Sequence, residues 1–524
     1  MKKIVVIGAG PAGITAAYEL LKNSRNYELI ILEKSAFIGG ISRTVQHNGN
    51  RMDLGGHRFF SKDKEVTAWW NNILPLQGKP AFDDILTGRT ITLNPNGPNP
   101  ETQDAVMLKR RRVSRIYYKR HFFDYPVKMN LNTILNMGIF TTIRAGFSYL
   151  YSLMHKLPES SLENFYINRF GRKLYTMFFE GYTAKLWGRH PRNISADWGA
   201  QRVKGLSIAA ILKDILGKIL PHKQKHIETS LIEEFLYPKF GPGQLWETAA
   251  QKISSMGGKI IFNAKVIKFT THNNKITQVF YEQKGQIIRI DADIVISSMP
   301  LKELVAGLPK VPSQIAGIAA GLPYRDFITV GMLLKKINLV NKTKLKTLGN
   351  IVPDCWIYVQ DTGVKLGRIQ IFNNWSPYLV TEPQKNIWLG LEYFCKAGDS
   401  FWNMEDTALQ KFALKELLQM QIISAAEDVL DTHIERVEKA YPAYFDTYKD
   451  IDKLIEYLQG FTNLYCVGRN GQHRYNNMDH SMATSFAAVR HILGKSTDKS
   501  AVWKVNTEQE YHETKTDSSN NDSV

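Results

Sequence analysis

The first 33 residues constrain the fold of this chain more than any other segment. An apolar run at 4–7 leads into a turn that contains Gly8, Gly10 and Gly13. A helical stretch follows, and a second apolar run ends at Glu33. This order predicts a strand, a glycine-rich turn, a helix and a second strand, which together form the unit that binds a dinucleotide at the edge of a parallel sheet.

Each part of this unit has a physical role toward a dinucleotide. Gly8 permits the tight turn, Gly10 lets a pyrophosphate approach the backbone, and Gly13 lets the helix pack closely on the strand. The N–H groups of the helix N-terminus face the phosphates, and the carboxylate of Glu33 can accept hydrogen bonds from ribose hydroxyls. The residues that we assign to this part of the cofactor site are Gly8, Gly10, Pro11, Ala12, Gly13 and Glu33.

Two further glycine pairs favour FAD over NAD. Gly39-Gly40 follows the second predicted strand, and Gly55-Gly56 comes directly before His57. Glycine pairs so close to the first turn indicate backbone that packs against a long ligand, although such pairs also occur in ordinary turns. Glu33 disfavours a 2′-phosphate, so NADP is not expected at this site. We therefore predict FAD as the cofactor.

The cysteines indicate the compartment and the mode of flavin attachment. Cys355, Cys395 and Cys466 are scattered along the chain and show no metal-binding spacing. None lies in a setting typical of a nucleophile or of a covalent flavin link. We therefore expect noncovalent FAD, no metal site, and a reducing, cytoplasmic compartment.

The net charge of +18 indicates an affinity for anions. Basic residues cluster at 109–120, where nucleotide phosphates or anionic lipids could bind, and a solvated basic surface is the alternative. No nucleic-acid-binding module is visible, so nucleic acid is not an expected partner. The apolar stretch 130–157 contains Arg144, which favours a buried or membrane-surface helix over a spanning one and allows weak membrane-surface association.

A chain of 524 residues can form two or three domains. Its patterns predict an α/β protein in which a Rossmann-like FAD-binding domain carries an inserted helical region and an antiparallel β-sheet substrate domain. Helical spacing is also present at 207–220 and 406–430. The predicted segments are 1–80, 230–305 and 456–494 for the FAD-binding domain, 105–225 for the helical region and substrate pocket, 306–455 for the antiparallel-sheet domain, and 495–524 for a disordered tail.

Several further motifs are shared with one group of flavoproteins. They are Asp53-Leu-Gly-Gly-His57, Asp124-Tyr125-Pro126, Lys185-Leu186-Trp187, Asp197-Trp198 with Arg202, the segment 368–378, Tyr441-Pro442 and the segment 468–480. Together with the N-terminal unit they resemble the flavin amine oxidase and protoporphyrinogen oxidase superfamily, and within it the UDP-galactopyranose mutases. The segment 468–480 is the most specific of these motifs. The resemblance implies an FAD-binding domain of the glutathione-reductase type and a nucleotide-sugar substrate.

The resemblance also implies a substrate site. Arg202 and Arg368 would bind the diphosphate of a nucleotide sugar through bidentate guanidinium contacts. Tyr441 and Tyr475 would donate hydroxyl hydrogen bonds to the same phosphates, and Trp187 would stack on the uracil or the sugar. Ordinary salt bridges for the arginines and core packing for the aromatic residues are the alternatives.

The resemblance implies that the glycines and the histidine of the Asp53-Leu-Gly-Gly-His57 motif lie at the flavin. His57 would lie near the flavin N5, where it could tune the flavin or move a proton, and a structural histidine is the alternative. Asp479 would lie at the start of the last helix, whose N–H groups could neutralise a reduced flavin, or its carboxylate could only cap that helix. The remaining cofactor-binding residues that the resemblance implies are Gly40, Arg43, Gly55, Gly56, Val266, Gly468, Asn477, Met478 and Ser481.

Three functions are compatible with these residues. The resemblance implies an isomerase in which reduced flavin displaces UDP from the sugar without net redox change, with NAD(P)H as a possible external reductant. An FAD-dependent oxidoreductase acting on an amine or an apolar substrate is the alternative, and a non-catalytic flavin-binding scaffold is the third. Trp375 stands where the mutases carry a tyrosine, which leaves the sugar open, and the oligomeric state is open as well.

Overall fold

The computed structural model describes residues 1–24, 26–125, 127, 131–196 and 234–505. Arg202, the Asp197-Trp198 pair and the predicted helix 207–220 lie outside these described residues. The described chain forms two compact units. The first unit contains Met1–Lys109, Leu236–Val352 and 370–505, and the second contains the described residues of 110–235 and 353–369.

A five-stranded parallel sheet is the centre of the first unit. Its strands are, in spatial order, Leu464–Cys466, Ile294–Ser297, Lys2–Ile7, Tyr27–Leu32 and Lys259–Ile261. All four neighbouring pairs are parallel. The five strands come from three separated stretches of the sequence. Because parallel strands are covered on both faces, they consist of nearly continuous apolar runs. The sheet confirms the predicted α/β fold with a Rossmann-like unit.

Helices cover this sheet and bury its apolar side chains. The helices Pro11–Asn23, Pro242–Ser255 and Met478–Ile492 contribute buried residues to one continuous core cluster. The indole rings of Trp69 and Trp246 lie 5.9 Å apart in this cluster. Packing of this kind supplies most of the stability of amphipathic helices, whose isolated segments are marginal in water.

A three-stranded antiparallel meander, Lys265–His272, Lys275–Gln283 and Gln286–Asp291, follows the order predicted for the middle of the chain. Its two hairpins turn at Asn273-Asn274 and Lys284-Gly285, where all four residues have positive φ. Two-residue hairpin turns of this type match the right-handed twist of the strands, and they favour asparagine and glycine.

A second antiparallel sheet in the first unit places Tyr324–Leu334 between Ile387–Cys395 and Val429–Pro442. The helix predicted over 406–430 is shorter than expected, since it spans Asp406–Gln419. Gln421 adopts a positive φ of 56°, which ends the helix in the left-handed region.

The second unit begins with strands. Its sheet has the order Trp356–Val359, Ser114–Tyr118, His121–Asp124, with one parallel and one antiparallel pair. The prediction of a mostly helical segment is therefore wrong for its first residues, because Ser114–Tyr118 and His121–Asp124 pair as strands. The helical elements of this unit are Leu131–Met137, Ile139–Met154, Leu162–Tyr175, Thr176–Glu180, Gly181–Trp187 and Pro191–Asn193.

The remaining helices of the first unit are Lys64–Ile73, Phe82–Thr87, Leu301–Gly307, Ser313–Ala320, Phe372–Trp375, Ile451–Gln459, Gly468–Gly471 and Ala501–Lys504, and its remaining strands are Thr44–His47 and Asn50–Asp53. Three strands cross a unit boundary along the chain, namely Met107–Arg111, Glu234–Pro238 and Arg368–Ile371. Among the helices that the structure describes, none is both long enough and apolar enough to cross a membrane.

The segment 495–505 is ordered, although its polar composition predicts disorder. Ala501–Lys504 form a short helix, and Trp503 is only 8% exposed. The side-chain amide of Gln472 donates to the carbonyl of Val502 at 2.7 Å, and the guanidinium of Arg474 donates to the carbonyl of Val505 at 2.7 Å. One buried indole and two buried backbone acceptors therefore anchor a segment whose average composition is hydrophilic.

We expect Trp503→Ala to lower the free energy of unfolding by about 3–5 kcal/mol, the usual loss for removing a buried tryptophan side chain. Urea denaturation of wild type and of Trp503→Ala would measure this loss. Thr497→Ala, at an exposed position of the same segment, is the control and should change stability by less than about 0.5 kcal/mol. Equal stabilities of the two variants would show that the segment is not anchored.

Candidate flavin and substrate sites

The glycine-rich turn leaves no room for side chains at two positions. Gly8 has a φ of +97°, and a Cβ atom there would lie 2.2 Å from the hydroxyl oxygen of Ser298. A Cβ atom on Gly13 would lie 1.9 Å from the carbonyl oxygen of Gly8, and one on Gly10 would lie 3.9 Å from the Cα atom of Gly40. The turn therefore has the open backbone that a pyrophosphate requires, with the second glycine pair beside it.

Glu33 ends the second strand in a buried position. One carboxylate oxygen accepts from the backbone N–H of Ala9 at 2.8 Å, and the other accepts from the N–H and hydroxyl of Ser35 at 2.9 and 2.8 Å. The N–H of Ala264 donates to the carbonyl of Glu33 at 2.8 Å. This contact brings the strand that carries Val266 close to the carboxylate. The ribose role of Glu33 stays a prediction that this geometry permits.

The last helix of the sheet domain packs directly on the first helix. Gly468 has a φ of +76°, and a Cβ atom there would lie 2.8 Å from the Cβ atom of Ala12. The N–H of Gly468 donates to the hydroxyl of Thr484 at 2.9 Å, and the hydroxyl of Ser485 donates to the carbonyl of Ala12 at 2.8 Å. The start of the first helix, which contains Pro11 and Ala12, is therefore held against the motif that begins at Gly468.

The predicted residues near the start of the last helix have separate tasks. Asn477 is the N-cap of Met478–Ile492, so Asp479 does not hold the cap position. The Asp479 carboxylate accepts from the hydroxyl of Ser61 at 2.9 Å, and the hydroxyl of Ser481 donates to the side chain of Asn476 at 3.0 Å. Asp479 adds negative charge in the first turn, where it interacts favourably with the helix dipole.

Arg43 is already engaged by protein groups. Its guanidinium donates to the carboxylate of Glu435 at 2.7 Å and lies 4.6 Å from the ring centroid of Phe37. Gly40, three residues earlier, has a positive φ of 56°. Arg43 thus ties the loop after the second strand to the antiparallel sheet of the first unit.

His57 follows Gly55 and Gly56 in a half-buried position. Burial, and after it the positive charge of Arg469, lowers the pKa of His57 to about 3, so its imidazole is neutral at physiological pH. Its Nδ1 atom is buried without a hydrogen-bond partner among the described residues. A buried polar atom of this kind is normally satisfied, so it is a suitable partner for a bound group.

Asp53 is buried at the end of the strand that precedes these glycines. Burial raises the pKa of Asp53 to about 7, although its carboxylate accepts from the hydroxyl of Tyr237 and, at 3.1 Å, from that of Thr44. Tyr237 packs 5.3 Å from the fully buried ring of Trp375. The residue that departs from the mutases is therefore part of the packing behind Asp53.

A cationic aromatic cluster lies near His57 in the first unit. The rings of Tyr441 and Tyr475 stack at 5.5 Å, and the guanidinium carbon of Arg469 lies 5.8 and 5.0 Å from their centroids. Arg469 donates to the carbonyls of Ala440 and Asn476 at 2.7 Å each. Both tyrosines were predicted from the sequence as site residues. Arg469 was not, although it stands next to Gly468 in the most specific motif.

The second unit contains a separate cluster around Arg368. Its Nε atom donates to the hydroxyl of Tyr182 at 2.7 Å, and its guanidinium carbon lies 5.7 Å from the ring centroid of Tyr358. Tyr125 stacks on Tyr358 at 4.4 Å, and Tyr182 meets Tyr358 edge to face at 5.6 Å. Tyr125 of the one motif and Arg368 of the other thus meet at Tyr358. Tyr182 was not singled out from the sequence.

Trp187 lies at the end of the helix that carries Tyr182 and is almost fully buried. Lys185 in the same helix donates through its ammonium group to the carbonyls of Asp361 and Leu366, at 2.5 and 3.0 Å. The helix is therefore fixed to the loop between the strands Trp356–Val359 and Arg368–Ile371. This burial favours the core-packing alternative for Trp187.

Comparison with known proteins identifies the family. Residues 11–476 match the family model described as flavin containing amine oxidoreductase. The chain belongs to this family. Its members are flavin-dependent enzymes, and this confirms the prediction of a flavin cofactor. The glycine turn, the Glu33 carboxylate and the buried Nδ1 atom of His57 fit such a group.

Sequence relatives match the chain only in part. The zeta-carotene desaturase of Capsicum annuum is 37% identical over 78 residues, which are 15% of this chain and 12% of that protein. The L-amino-acid oxidase of Crotalus adamanteus is 22% identical over 351 residues, which are 64% of this chain and 58% of that protein. The chain thus covers less than two thirds of the length of these relatives.

Solved structures share the fold over nearly the whole chain. A reduced UDP-galactopyranose mutase has a TM-score of 0.74 at 23% identity and covers 97% of this chain and 99% of its own. A putrescine oxidase bound to putrescine has a TM-score of 0.56 at 14% identity and covers 94% of this chain and 99% of its own.

We expect Gly13→Ala to weaken FAD binding by about tenfold or more, because overpacking a close contact costs about 1–3 kcal/mol. The measurement is FAD titration of the apoprotein, prepared by acid precipitation, which should release noncovalent flavin into the supernatant. Gly317→Ala is the control, since a Cβ atom there meets no atom within 4 Å. Unchanged FAD affinity of Gly13→Ala would contradict the proposed phosphate turn.

We expect His57 to make the folded state less stable in acid. The folded pKa is about 3, whereas an unfolded histidine has a pKa of about 6.5. The unfolded state therefore takes up a proton first, and His57 contributes stability above about pH 6.5 that is lost as the pH falls toward 3. Between pH 7 and 5 the loss should be about 2 kcal/mol.

Urea denaturation of wild type and His57→Asn at both pH values would measure this difference. His57→Asn should lose about 2 kcal/mol less than wild type on acidification. His272→Asn, at an exposed histidine, is the control and should follow wild type. Parallel losses in wild type and His57→Asn would refute a buried neutral imidazole.

Proposed function

We propose that this chain is a flavoenzyme that acts on a nucleotide sugar, as an isomerase of the UDP-galactopyranose mutase type. The observation that carries the proposal is the cluster of Arg368 with Tyr182, Tyr358 and Tyr125 in the second unit. We further propose that the segments 1–80, 230–305 and 456–494 form the FAD-binding domain, and that the protein works in the cytoplasm, where its free cysteines stay reduced.

The cluster has the chemistry that a nucleoside diphosphate requires. A diphosphate carries two negative charges, and the planar guanidinium binds phosphate oxygens with two parallel hydrogen bonds. The Nε contact with Tyr182 fixes the plane of the Arg368 guanidinium. A side chain that is already oriented loses less conformational entropy when the ligand binds.

The tyrosines supply the other contacts. The stacked rings of Tyr125 and Tyr358 hold the cluster together, and the hydroxyl groups of the cluster suit phosphate or ribose oxygens. We propose that Arg202, which lies outside the described residues, binds the same diphosphate, because two negative charges call for two cations. We assign Trp187 to the packing that holds the helix of Tyr182.

In the first unit, Tyr441 and Tyr475 are proposed to donate hydrogen bonds to substrate oxygens. Their stacking and the guanidinium of Arg469 fix both rings, so the hydroxyl groups are held in place before the substrate binds. The neutral imidazole of His57 can hold or transfer a proton at Nδ1. Bound FAD supplies the redox and nucleophilic chemistry, and NAD(P)H is the proposed external reductant.

Family membership favours a second candidate function. The match to the flavin containing amine oxidoreductase model is compatible with an oxidoreductase that removes hydride from an amine or an apolar substrate. Such an enzyme needs no diphosphate site. Hydrogen peroxide formation with amines, measured beside UDP binding, separates the two functions.

We expect Arg368→Ala to reduce UDP affinity by about 2–5 kcal/mol, because one phosphate loses its charged partner. Isothermal titration calorimetry with UDP on the FAD-loaded protein would measure this. Arg368→Lys keeps the charge without the fork and should recover only part of the affinity. Arg289→Ala, on an exposed strand of the first unit, is the control.

FAD content and spectrum should be the same in all three variants, since Arg368 belongs to the second unit and the flavin residues belong to the first. A wild-type protein that binds no UDP, or an Arg368→Ala variant with unchanged affinity, would reject the nucleotide-sugar proposal and leave the oxidoreductase function.

A further inference from the structure

The helix Ile139–Met154 of the second unit exposes a continuous apolar surface. We call this surface the apolar face; it consists of Ile139, Phe140, Ile143, Phe147, Leu150 and Met154. At 3.6 residues per turn, these six side chains fall within an arc of about 100° on the helix. Phe140 is 84% exposed, Met154 73% and Phe147 69%, which is unusual for large apolar residues in a folded protein.

Packing on the other side of the helix fixes the direction of this face. Ala145, Tyr149 and Ser152 are the buried residues of the helix. Gly171 in the helix Leu162–Tyr175 approaches so closely that a Cβ atom there would lie 2.8 Å from the backbone nitrogen of Tyr149. The helix therefore cannot rotate to bury its apolar face without breaking this close contact, and the six side chains stay directed outward.

No acidic residue lies on this helix or directly beside it in the sequence. The sequence contains no aspartate or glutamate between Tyr125 and Pro158. Arg144 lies at one edge of the apolar arc, and His155 and Lys156 follow the end of the helix, all three in exposed positions. Large apolar side chains on one face with arginine and lysine at its edges are typical of helices that lie in the headgroup region of a bilayer.

The charge pattern decides between a lipid surface and a second copy of the chain. In a twofold interface, two copies of this face would bring Arg144 near an identical positive surface, with no carboxylate on Leu131–Met137 or Ile139–Met154 to pair with it. An unpaired buried charge is costly. At an anionic bilayer, by contrast, Arg144 can extend its guanidinium to lipid phosphates while its methylene groups stay in contact with acyl chains.

We propose that the apolar face docks the protein peripherally on an anionic membrane surface. The six apolar side chains enter the headgroup and acyl boundary, and Arg144 faces the lipid phosphates. The net charge of +18 adds long-range attraction to such a surface. This inference does not depend on the substrate of the enzyme.

Vesicle flotation of the FAD-loaded full chain tests the proposal. The vesicles contain either phosphatidylcholine alone or an equal mixture of phosphatidylcholine and phosphatidylglycerol. Wild type should float with the mixed vesicles, and its binding should weaken as salt is raised. The double variant Phe140→Ser/Phe147→Ser should bind the mixed vesicles at least about tenfold more weakly than wild type, because both rings leave the bilayer.

Charge reversal tests the contribution of Arg144 to lipid binding. Arg144→Glu should lower affinity for the mixed vesicles by about tenfold and reduce their advantage over phosphatidylcholine. The matched controls lie on an exposed strand of the first unit, where Ile287 is 67% exposed and Arg289 is its neighbour two residues on. Ile287→Ser and Arg289→Glu should each bind within about twofold of wild type. FAD content and melting temperature should be unchanged in every variant, which shows that each has folded.

Three results would overturn the proposal. Wild type that does not float with the mixed vesicles, or a Phe140→Ser/Phe147→Ser variant that floats equally well, would show that the face does not meet lipid. Light scattering that finds a wild-type dimer and a monomeric double-serine variant, without vesicle binding, would assign the face to a second copy of the chain.

Discussion

Close backbone contact around Gly8 is the constraint on which the rest of the first unit depends. Gly13 lies against the carbonyl of Gly8, Ser298 occupies the space beside Gly8, and Gly468 lies against Ala12. These contacts join the first strand, the first helix, the end of the strand Ile294–Ser297 and the helix Gly468–Gly471. Three separated pieces of sequence thereby form one sheet with one glycine-rich turn.

Burial governs the chemistry available in the first unit. A buried imidazole is expensive to charge, so His57 stays neutral, and Arg469 reinforces the effect. The same burial raises the pKa of Asp53 to about 7, which makes it readily protonated near neutral pH. The two groups lie four positions apart in the chain, and burial shifts the pKa of each toward its neutral form.

Positive charge in this protein is used in different settings. Arg43 pairs with Glu435 and holds a loop, whereas Arg469 and Arg368 lie against tyrosine rings. A guanidinium on an aromatic face is attracted by the ring quadrupole, which neutralises its charge far less than a carboxylate does. Arg144 differs again, since it borders an exposed apolar face.

The sequence by itself determined the dinucleotide turn, because glycine spacing, helix start and the acidic residue after the second strand are local features. The hairpins at Asn273-Asn274 and Lys284-Gly285 were equally readable, since turn chemistry depends on neighbouring residues. The family motifs predicted Arg368 and Tyr125, Tyr441 and Tyr475 as candidates, but local patterns could not show which of them meet.

Only the tertiary structure decided which residues complete each cluster. Tyr182 reaches Arg368 across 186 positions of sequence, and Arg469 lies beside the stacked rings of Tyr441 and Tyr475. Trp503 is buried in a segment whose composition predicts disorder, and Phe140 is exposed in a helix whose composition equally allowed burial. The physical reason is the same in each case: burial and contact depend on what packs against a residue, and that partner is set by the fold rather than by the neighbouring sequence.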